Sequence, residues 1–290
     1  MRRRAFRPLL ATCAIALGTA CSDVNVGAFN VVYAHADWLA QKTIARYADL
    51  DESQRALLQT QLRRLHHWHR ARELPLYADL VDELARRVSR HLTAEDTAWI
   101  IRVIDERRQA IALRAADDLA PVLVTLTAEQ RSQIAAQLAR DNARFERSQL
   151  DPGPQRTVRS RSDWLVGQME HWIGPLTSSQ RIRIAMVSAA TVDFPAARLA
   201  ERRRRQQVFL QLIGSTRDEA LLRPALASLL ALPRKGADES YGLAVTRYEE
   251  ELKRMIVDID ASLSADQRDT ASARLHRFAG ALRERSADPP

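Results

Sequence analysis

The densest group of metal-ligand side chains in the sequence is a run of histidines followed by a glutamate. His66, His67 and His69 lie around Trp68, and Glu73 comes four residues later. At about 100° per residue, His66, His69 and Glu73 fall on one stripe of a helix. Two imidazoles and a carboxylate are ligands that zinc and copper accept. The spacing therefore defines a candidate metal site.

A packing interpretation of the same residues is favoured over the metal site. Trp68 then lies in the core, and the histidines are hydrogen-bonded or partly solvated. Pro75 is expected to end the helix just after Glu73, which displaces the third ligand. We therefore predict no metal and no cofactor, and keep His66, His69 and Glu73 only as candidate ligands.

Signatures of the common catalytic sites are missing from the sequence. It contains no Gly-x-Ser-x-Gly, no His-Glu-x-x-His and no phosphate-binding glycine loop. Paired acids occur in helical stretches, where they are typical of solvated faces. We predict that the chain is not an enzyme, with a metal-binding or hydrolytic enzyme around His66 and His69 as the alternative.

One dense basic run stands out, at Arg202, Arg203, Arg204 and Arg205. Four consecutive arginines on a helix point to all sides, so they cannot all be buried. The run predicts either a charged exposed turn or a contact with anionic phosphates of lipid headgroups or lipopolysaccharide.

The elements that position these residues must be helices, because the composition leaves few turn formers. Of 290 residues only 9 are Gly and 11 are Pro, which disfavours a turn-rich all-β protein. A hydrophobic content of 46% with 28% charged residues excludes a mostly disordered chain. Only one long apolar run exists, at the N-terminus, and this excludes a protein with many membrane spans.

The first residues read as a lipoprotein export signal. Met1–Pro8 is basic, Leu9–Leu17 is apolar and short, and Gly18-Thr19-Ala20 precedes Cys21. This pattern resembles a bacterial lipobox and predicts a signal peptide over 1–20, acylation of Cys21 and a short tether over 21–29. The chain is then anchored by lipid in the bacterial cell envelope and faces the periplasm, and the serine after Cys21 favours the outer membrane.

Cleavage of the predicted signal peptide also changes the net charge from which binding partners are inferred. Cleavage removes four arginines, so the formal net charge falls from +8 to +4. An exported lipoprotein with this small excess is not expected to bind nucleic acid.

Helical periodicity recurs over about 30–285 and is cleanest between Val245 and Ile259. We predict an all-α fold, either a multi-helix bundle or stacked helical hairpins, with a disordered tail over 286–290. An ungapped offset of 126 aligns Asp37-Trp38-Leu39 with Asp163-Trp164-Leu165 and continues through the next motif. Two weakly duplicated halves, 30–150 and 155–285, follow from this offset. Helical spacing favours core positions for Trp38, Trp164 and Trp172, with positions at the membrane interface as the alternative.

One short pattern recurs five times and predicts five helix starts. A leucine precedes an Asp, Thr or Ser, and an acid or glutamine comes three residues later, as in a capping box. The leucine is expected to pack against another helix. The capping positions are Asp51 with Gln54, Thr93, Thr127 with Gln130, Thr177 with Gln180, and Ser264 with Gln267.

The Leu-Thr-x-x-Gln form of this pattern resembles the signature of the Spy/CpxP periplasmic chaperones. Those proteins are small and all-helical. The resemblance covers only the short motifs and implies an envelope compartment and a helical fold.

A broader likeness spans most of the mature chain. The segments 33–39, 50–54, 68–70, 73–77 and 141–142 together resemble a family of proteobacterial lipoproteins that is known only as a domain of unknown function. The resemblance implies an exported, lipid-anchored, all-helical protein and no particular activity.

These observations predict a non-catalytic envelope lipoprotein. Its leading role is binding a protein or peptide partner in the periplasm, in a chaperone-like or assembly-supporting way. A third interpretation is a structural lipoprotein that contacts anionic membrane or lipopolysaccharide through its arginines. The sequence leaves the oligomeric state open.

Overall fold

A computed structural model describes Phe29, 32–231 and 238–287, and these residues form α-helices and one π-helical turn without any strand. The all-α prediction is confirmed. In chain order the helices are α1 (Ala36–Ile44), α2 (Glu52–Trp68), α3 (Leu74–Ser89), α4 (Ala94–Leu123), α5 (Ala128–Gln149), α6 (Pro154–Ile173), α7 (Ser178–Ala190), α8 (Phe194–Ser215), α9 (Glu219–Leu230), α10 (Glu239–Ala261) and α11 (Ala265–Ala287).

The chain folds into two compact units. Unit 1 contains the described residues up to His67 together with Arg108–Arg144 and Arg205–Ala231. Unit 2 contains Trp68–Arg107, Phe145–Arg204 and the described residues from 238 onward. The units do not coincide with the predicted halves 30–150 and 155–285, because each unit takes segments from both.

Each unit has its own apolar core. In unit 1 the core residues come from the turn before α2 and from α2, α4, α5 and α8; they include Leu50, Leu58, Leu126, Ile134 and Ile213. In unit 2 they come from α3, α6, α7, α10 and α11; they include Leu176, Ile184, Met255, Ile259 and Leu275. Leu50, Leu126 and Leu176, three of the five leucines of the repeated start signal, are buried as predicted, whereas Leu92 and Leu263 are only half-buried.

The π-helical turn His69–Glu73 joins α2 to α3 and corrects the prediction that a helix ends near Glu73. Pro75 occupies the first turn of α3, where a missing amide is tolerated. Proline in an unbroken α-helix would leave the carbonyl four residues earlier without its donor. The wider π turn absorbs this defect, so the chain continues as a helix.

The predicted capping bonds form at the four starts that carry glutamine. The Gln180 amide donates to Thr177 Oγ1 at 3.3 Å, and the Thr177 amide donates to Gln180 Oε1 at 3.0 Å. The same reciprocal pair occurs at Asp51 with Gln54, Thr127 with Gln130, and Ser264 with Gln267. All four glutamines are nevertheless buried, which a surface cap does not require.

Their burial is explained by pairing, which we call a glutamine clasp. In unit 1, Gln130 Nε2 donates to Gln54 Oε1 at 2.6 Å, and Gln54 Nε2 donates to Gln130 Oε1 at 3.0 Å. Each Nε2 also donates to a carbonyl two residues before the other cap, at Asp49 or Thr125. The clasp joins the starts of α2 and α5.

Unit 2 contains the same arrangement between the starts of α7 and α11. Gln180 and Gln267 exchange Nε2–Oε1 hydrogen bonds at 3.2 Å in both directions. The remaining Nε2 bonds run to the carbonyls of Ser262 and Pro175, again two residues before each cap. Two equivalent clasps therefore fix two pairs of helix starts.

The fifth start, at Thr93, carries Asp96 in place of glutamine and is held by charge. The Thr93 amide donates to Asp96 Oδ2 at 2.9 Å, and Arg87 and Arg90 both contact Asp96 Oδ1. Burial alone would raise the pKa of Asp96, but the Thr93 amide, Arg87 and Arg90 outweigh it and lower this pKa to about 2.

The depressed pKa gives Asp96 a predictable acid response. A carboxyl with a lowered folded pKa stabilises the fold above its unfolded pKa of about 3.9 and loses that effect as the pH falls further. We expect Asp96→Asn to be less stable than wild type at pH 7, with the difference shrinking between about pH 4 and pH 2. Urea midpoints at pH 7, 4 and 2.5 measure this. A pH-independent difference would contradict it.

Two further sequence predictions are wrong. Trp38 and Trp164 are 53% and 44% exposed, not in the core, because each lies on the outer face of its helix. Of the tail predicted to be disordered over 286–290, Ser286 and Ala287 are helical, and residues 288–290 lie outside the described residues. The signal peptide over 1–20, Cys21 and all of the tether except buried Phe29 lie outside the described residues.

No helix in the described part of the chain is sufficiently long and apolar to cross a membrane.

Candidate functional site

The predicted histidine stripe is not assembled into a metal site. His66 belongs to unit 1 and packs edge-on against Tyr33, with ring centroids 4.9 Å apart. His69 belongs to unit 2 and packs against Tyr77 at 5.5 Å. Among the described residues, no group of three or more His, Cys, Asp or Glu side chains is placed to hold a metal ion.

Glu73, the third residue of the stripe, is instead a buried partner of Arg107. Its Oε1 lies 3.5 Å from Arg107 Nη1. Burial raises the pKa of Glu73, and the charge of Arg107 and the nearby hydroxyl of Tyr77 offset part of that effect. Buried carboxyls beside π turns are typical of functional sites. At 2% exposure, however, Glu73 is out of reach of a ligand while the turn stays closed.

The basic run at Arg202–Arg205 is largely occupied by neighbours. Arg203 Nη2 lies 2.9 Å from Glu146, and Arg204 forms two hydrogen bonds with Glu201. The guanidinium of Arg202 lies 6.0 Å from the centre of the Phe145 ring. Arg205 belongs to unit 1, whereas the other three arginines belong to unit 2. The run is therefore not one continuous cationic surface.

An apolar cleft in unit 2 is the better candidate. Its volume is about 220 Å³, and α10 forms one wall while the turn between α7 and α8 forms the other. The lining residues are Ala190, Thr191, Asp193, Phe194, Leu243, Ala244, Arg247 and Tyr248. This volume is below the range of roughly 300–1,000 Å³ that is usual for small-molecule sites. The cleft suits a single side chain of a partner.

Stacked aromatic rings form the floor of the cleft. Phe194 and Tyr248 lie parallel, with centroids 4.2 Å apart and an interplanar angle of 6°. Tyr241 continues the stack on Phe194 at 6.4 Å. Because such stacks are stiff and offer flat apolar faces, the cleft is preformed for an aromatic or aliphatic group.

A row of exposed apolar side chains on α7 leads into the cleft. Ile182, Met186 and Ala190 are spaced by four residues and therefore follow one another along the helix surface. Ile182 is 61% exposed and Met186 58%, and Ala190 lines the cleft. Leu243 is exposed on α10 at the opposite wall. We call Ile182, Met186 and Ala190 the apolar row.

Arg161 of α6 stands beside the cleft wall. Its Nη1 donates to the carbonyl oxygen of Thr191 at 2.5 Å and to Thr191 Oγ1 at 2.7 Å. Burial lowers the pKa of Arg161; Tyr248 partly opposes this, and the charge of Arg198 adds to it. A half-buried positive charge therefore lies next to Thr191, one of the residues that line the cleft.

Sequence reasoning missed this site entirely. Its residues come from three segments, around 161, 190–198 and 241–248, that share no motif. The only available signal was the spacing of Ile182 and Met186, which an amphipathic helix also produces on its buried face.

Comparison with known proteins places most of the described chain in one family. A model of a family of unknown function, DUF6279, matches residues 46–241. The chain belongs to the DUF6279 family. The matched range includes Arg161, Phe194 and the apolar row, whereas Leu243, Arg247 and Tyr248 follow its end. Neither the curated proteins nor the solved structures give a match to this DUF6279 chain.

Proposed function

We propose that this DUF6279 protein is a lipid-anchored, non-catalytic protein of the bacterial envelope that binds a protein or peptide partner. The observation that carries the proposal is the apolar row, whose large side chains are more than half exposed and lead into an apolar cleft. Contiguous exposed apolar surface of this kind marks interaction sites. Its shape, a helix row ending in a pocket, suits an inserted segment of another chain.

The location rests on the N-terminal sequence. A basic segment, a short apolar segment and small residues before Cys21 support export, acylation and anchoring, with the outer membrane favoured. The resemblance to proteobacterial lipoproteins and to the Spy/CpxP motif agrees with a periplasmic role in chaperoning or assembly. The tether after Cys21 then holds the helical units within about 30 Å of the membrane.

The two alternatives have less support. Ion pairs at Arg203 and Arg204 weigh against a role of the arginine run in membrane contact. The placement of His66 and His69 against tyrosine rings weighs against a metal or hydrolytic centre there.

Affinity capture from envelope extract tests the docking role. The full chain, solubilised in mild detergent, serves as bait in three forms: wild type, Met186→Glu and Leu221→Glu. Leu221 is 63% exposed on α9 in unit 1 and is the matched control. We expect wild type and Leu221→Glu to retain one partner in stoichiometric amount, and Met186→Glu to retain less than a tenth of it, because a carboxylate on the apolar row would have to be desolvated.

Circular dichroism and thermal unfolding confirm that both variants are folded before capture. Equal capture by all three baits would contradict the proposal, as would equal loss in both variants.

A further inference from the structure

Three arginines around the cleft have no acidic partner. Arg161, Arg198 and Arg247 lie outside ion-pair distance of every carboxylate in the part of the chain that the structure describes. This is unusual for Arg161, which is half-buried, since buried charges in proteins are nearly always paired. Other half-buried arginines of unit 2 pair with a carboxylate, as Arg87 does with Asp96, whereas Arg274, like Arg161, donates to backbone carbonyls.

The hydrogen bonds of Arg161 orient its guanidinium and leave two of its nitrogen donors available for an anion. Both of its hydrogen bonds use Nη1, and the Thr191 hydroxyl that accepts one of them donates in turn to the Val187 carbonyl at 2.8 Å. The guanidinium is thereby fixed beside Thr191, a lining residue of the cleft, and its Nε and Nη2 form no hydrogen bond with the described residues. A planar guanidinium with two free donors matches a carboxylate in a bidentate arrangement.

The surrounding charges favour an anion as well. Arg198 is close enough to Arg161 for their charges to repel, and Arg247 lines the cleft itself. Asp193 also lines the cleft, but it is exposed and forms no ion pair with the three arginines in the described residues. Positive charge is therefore in excess at this place.

We propose that the three arginines bind the carboxylate of an acidic protein segment whose neighbouring apolar side chain enters the cleft. This inference rests on the proposed docking role and specifies the chemistry of the partner. A small apolar cleft takes one side chain, and the apolar row extends the contact along the partner segment. The expected partner therefore carries Asp or Glu next to a large apolar residue, repeated at helical spacing.

Fluorescence anisotropy with two designed probes tests this. The first is a labelled twelve-residue peptide that combines Leu and Phe with Asp and Glu, and the second replaces its acids by Asn and Gln. Each is titrated with the full chain in detergent as wild type, Arg161→Gln, Arg247→Gln and Arg159→Gln. Arg159 is the matched control, because it lies on α6, exposed and without an ion pair among the described residues.

We expect the acidic peptide to bind wild type and Arg159→Gln equally and Arg161→Gln about tenfold more weakly, as is usual for losing a charge-assisted hydrogen bond. Arg247→Gln, which is exposed and leaves the fold undisturbed, should weaken the same peptide several-fold. The neutral peptide should bind weakly and equally to all four forms.

Three other outcomes would overturn the inference. Met186→Glu, titrated as a fifth form, shows whether the proposed docking role still holds in that case. If both peptides bind alike and only Met186→Glu weakens them, the anion site is wrong while the docking role stands. If neither peptide binds, the acidic-segment proposal fails. Binding to phosphatidylglycerol vesicles that requires Arg161 and Arg247, without peptide binding, would assign the arginines to lipid instead.

Discussion

Replacing Asp260 by alanine should lower the free energy of unfolding by about 3–5 kcal/mol, the usual cost of removing one partner of a buried ion pair. Asp260 is buried near the end of α10, where its Oδ1 lies 3.0 Å from Arg268 Nη1. Its Oδ2 accepts from the Leu92 amide at 2.8 Å. The substitution leaves the largely buried Arg268 without a carboxylate, with only its hydrogen bonds to the Val88 and Asp260 carbonyls, and it removes the acceptor of an amide at the Thr93 helix start.

A neighbouring acid provides the control. Asp258 lies two residues earlier on the same helix and pairs with Arg183 at 3.2 Å, but both side chains are substantially exposed. Surface pairs of this kind contribute about 0–1 kcal/mol. Urea unfolding at pH 7 should therefore separate Asp260→Ala from Asp258→Ala by at least 2 kcal/mol. Similar midpoints for the two variants would mean that Asp260 is solvated.

Loss of one glutamine from a clasp should have the second-largest effect. Gln130→Ala removes both hydrogen bonds to the Gln54 side chain and leaves the Asp49 carbonyl and the Thr127 amide without their glutamine partner. Buried polar groups that lose their partners cost about 1–3 kcal/mol each when water cannot reach them. Because some of these groups are only half-buried, we expect a total loss of about 3 kcal/mol.

A double-mutant cycle shows whether the clasp acts as a unit. Gln54→Ala and Gln130→Ala should each destabilise strongly, while the double variant should be only slightly worse than either, with a coupling energy of about 2–3 kcal/mol. Gln207→Ala, at an exposed position on α8, is the control and should change stability by less than about 0.5 kcal/mol. Simple additivity of the two clasp substitutions would show that the glutamines act only as separate caps.

The parts of this fold that could be predicted from the sequence depend on interactions between residues close together in the chain. The helix starts at Asp51, Thr127 and Thr177 follow from side chains that satisfy amides within the same turn, which a sequence window contains. The pairing of Gln54 with Gln130 does not follow, because 76 residues separate them and nothing in either motif specifies the other. Burial of all four glutamines is thus a tertiary property.

The misplaced tryptophans have a related explanation. Trp38 and Trp164 lie at helical spacing from apolar residues, but only the packing of other helices decides which face is covered. Both are exposed, as the weak duplication would require of equivalent positions. Each predicted half also contains one complete clasp, Gln54 with Gln130 or Gln180 with Gln267, although the compact units are divided differently.

The cleft could not be predicted from the sequence, because the proposed anion site depends on which groups surround its arginines in three dimensions. The sequence contains Arg161, but only its three-dimensional neighbours show that no acid of the described residues lies within ion-pair distance of it.

The division into two units determines when each core can fold during synthesis, which proceeds from the N-terminus. Unit 1 needs Arg205–Ala231, which supplies the fully buried Ile213, and unit 2 needs α10 and α11. Neither core can close until most of the 290 residues are available, although the Gln54–Gln130 clasp can form much earlier. Contacts this distant along the chain are slow to form. During synthesis the N-terminal segments therefore keep their apolar faces uncovered until the later segments are available, and we expect this period to favour aggregation.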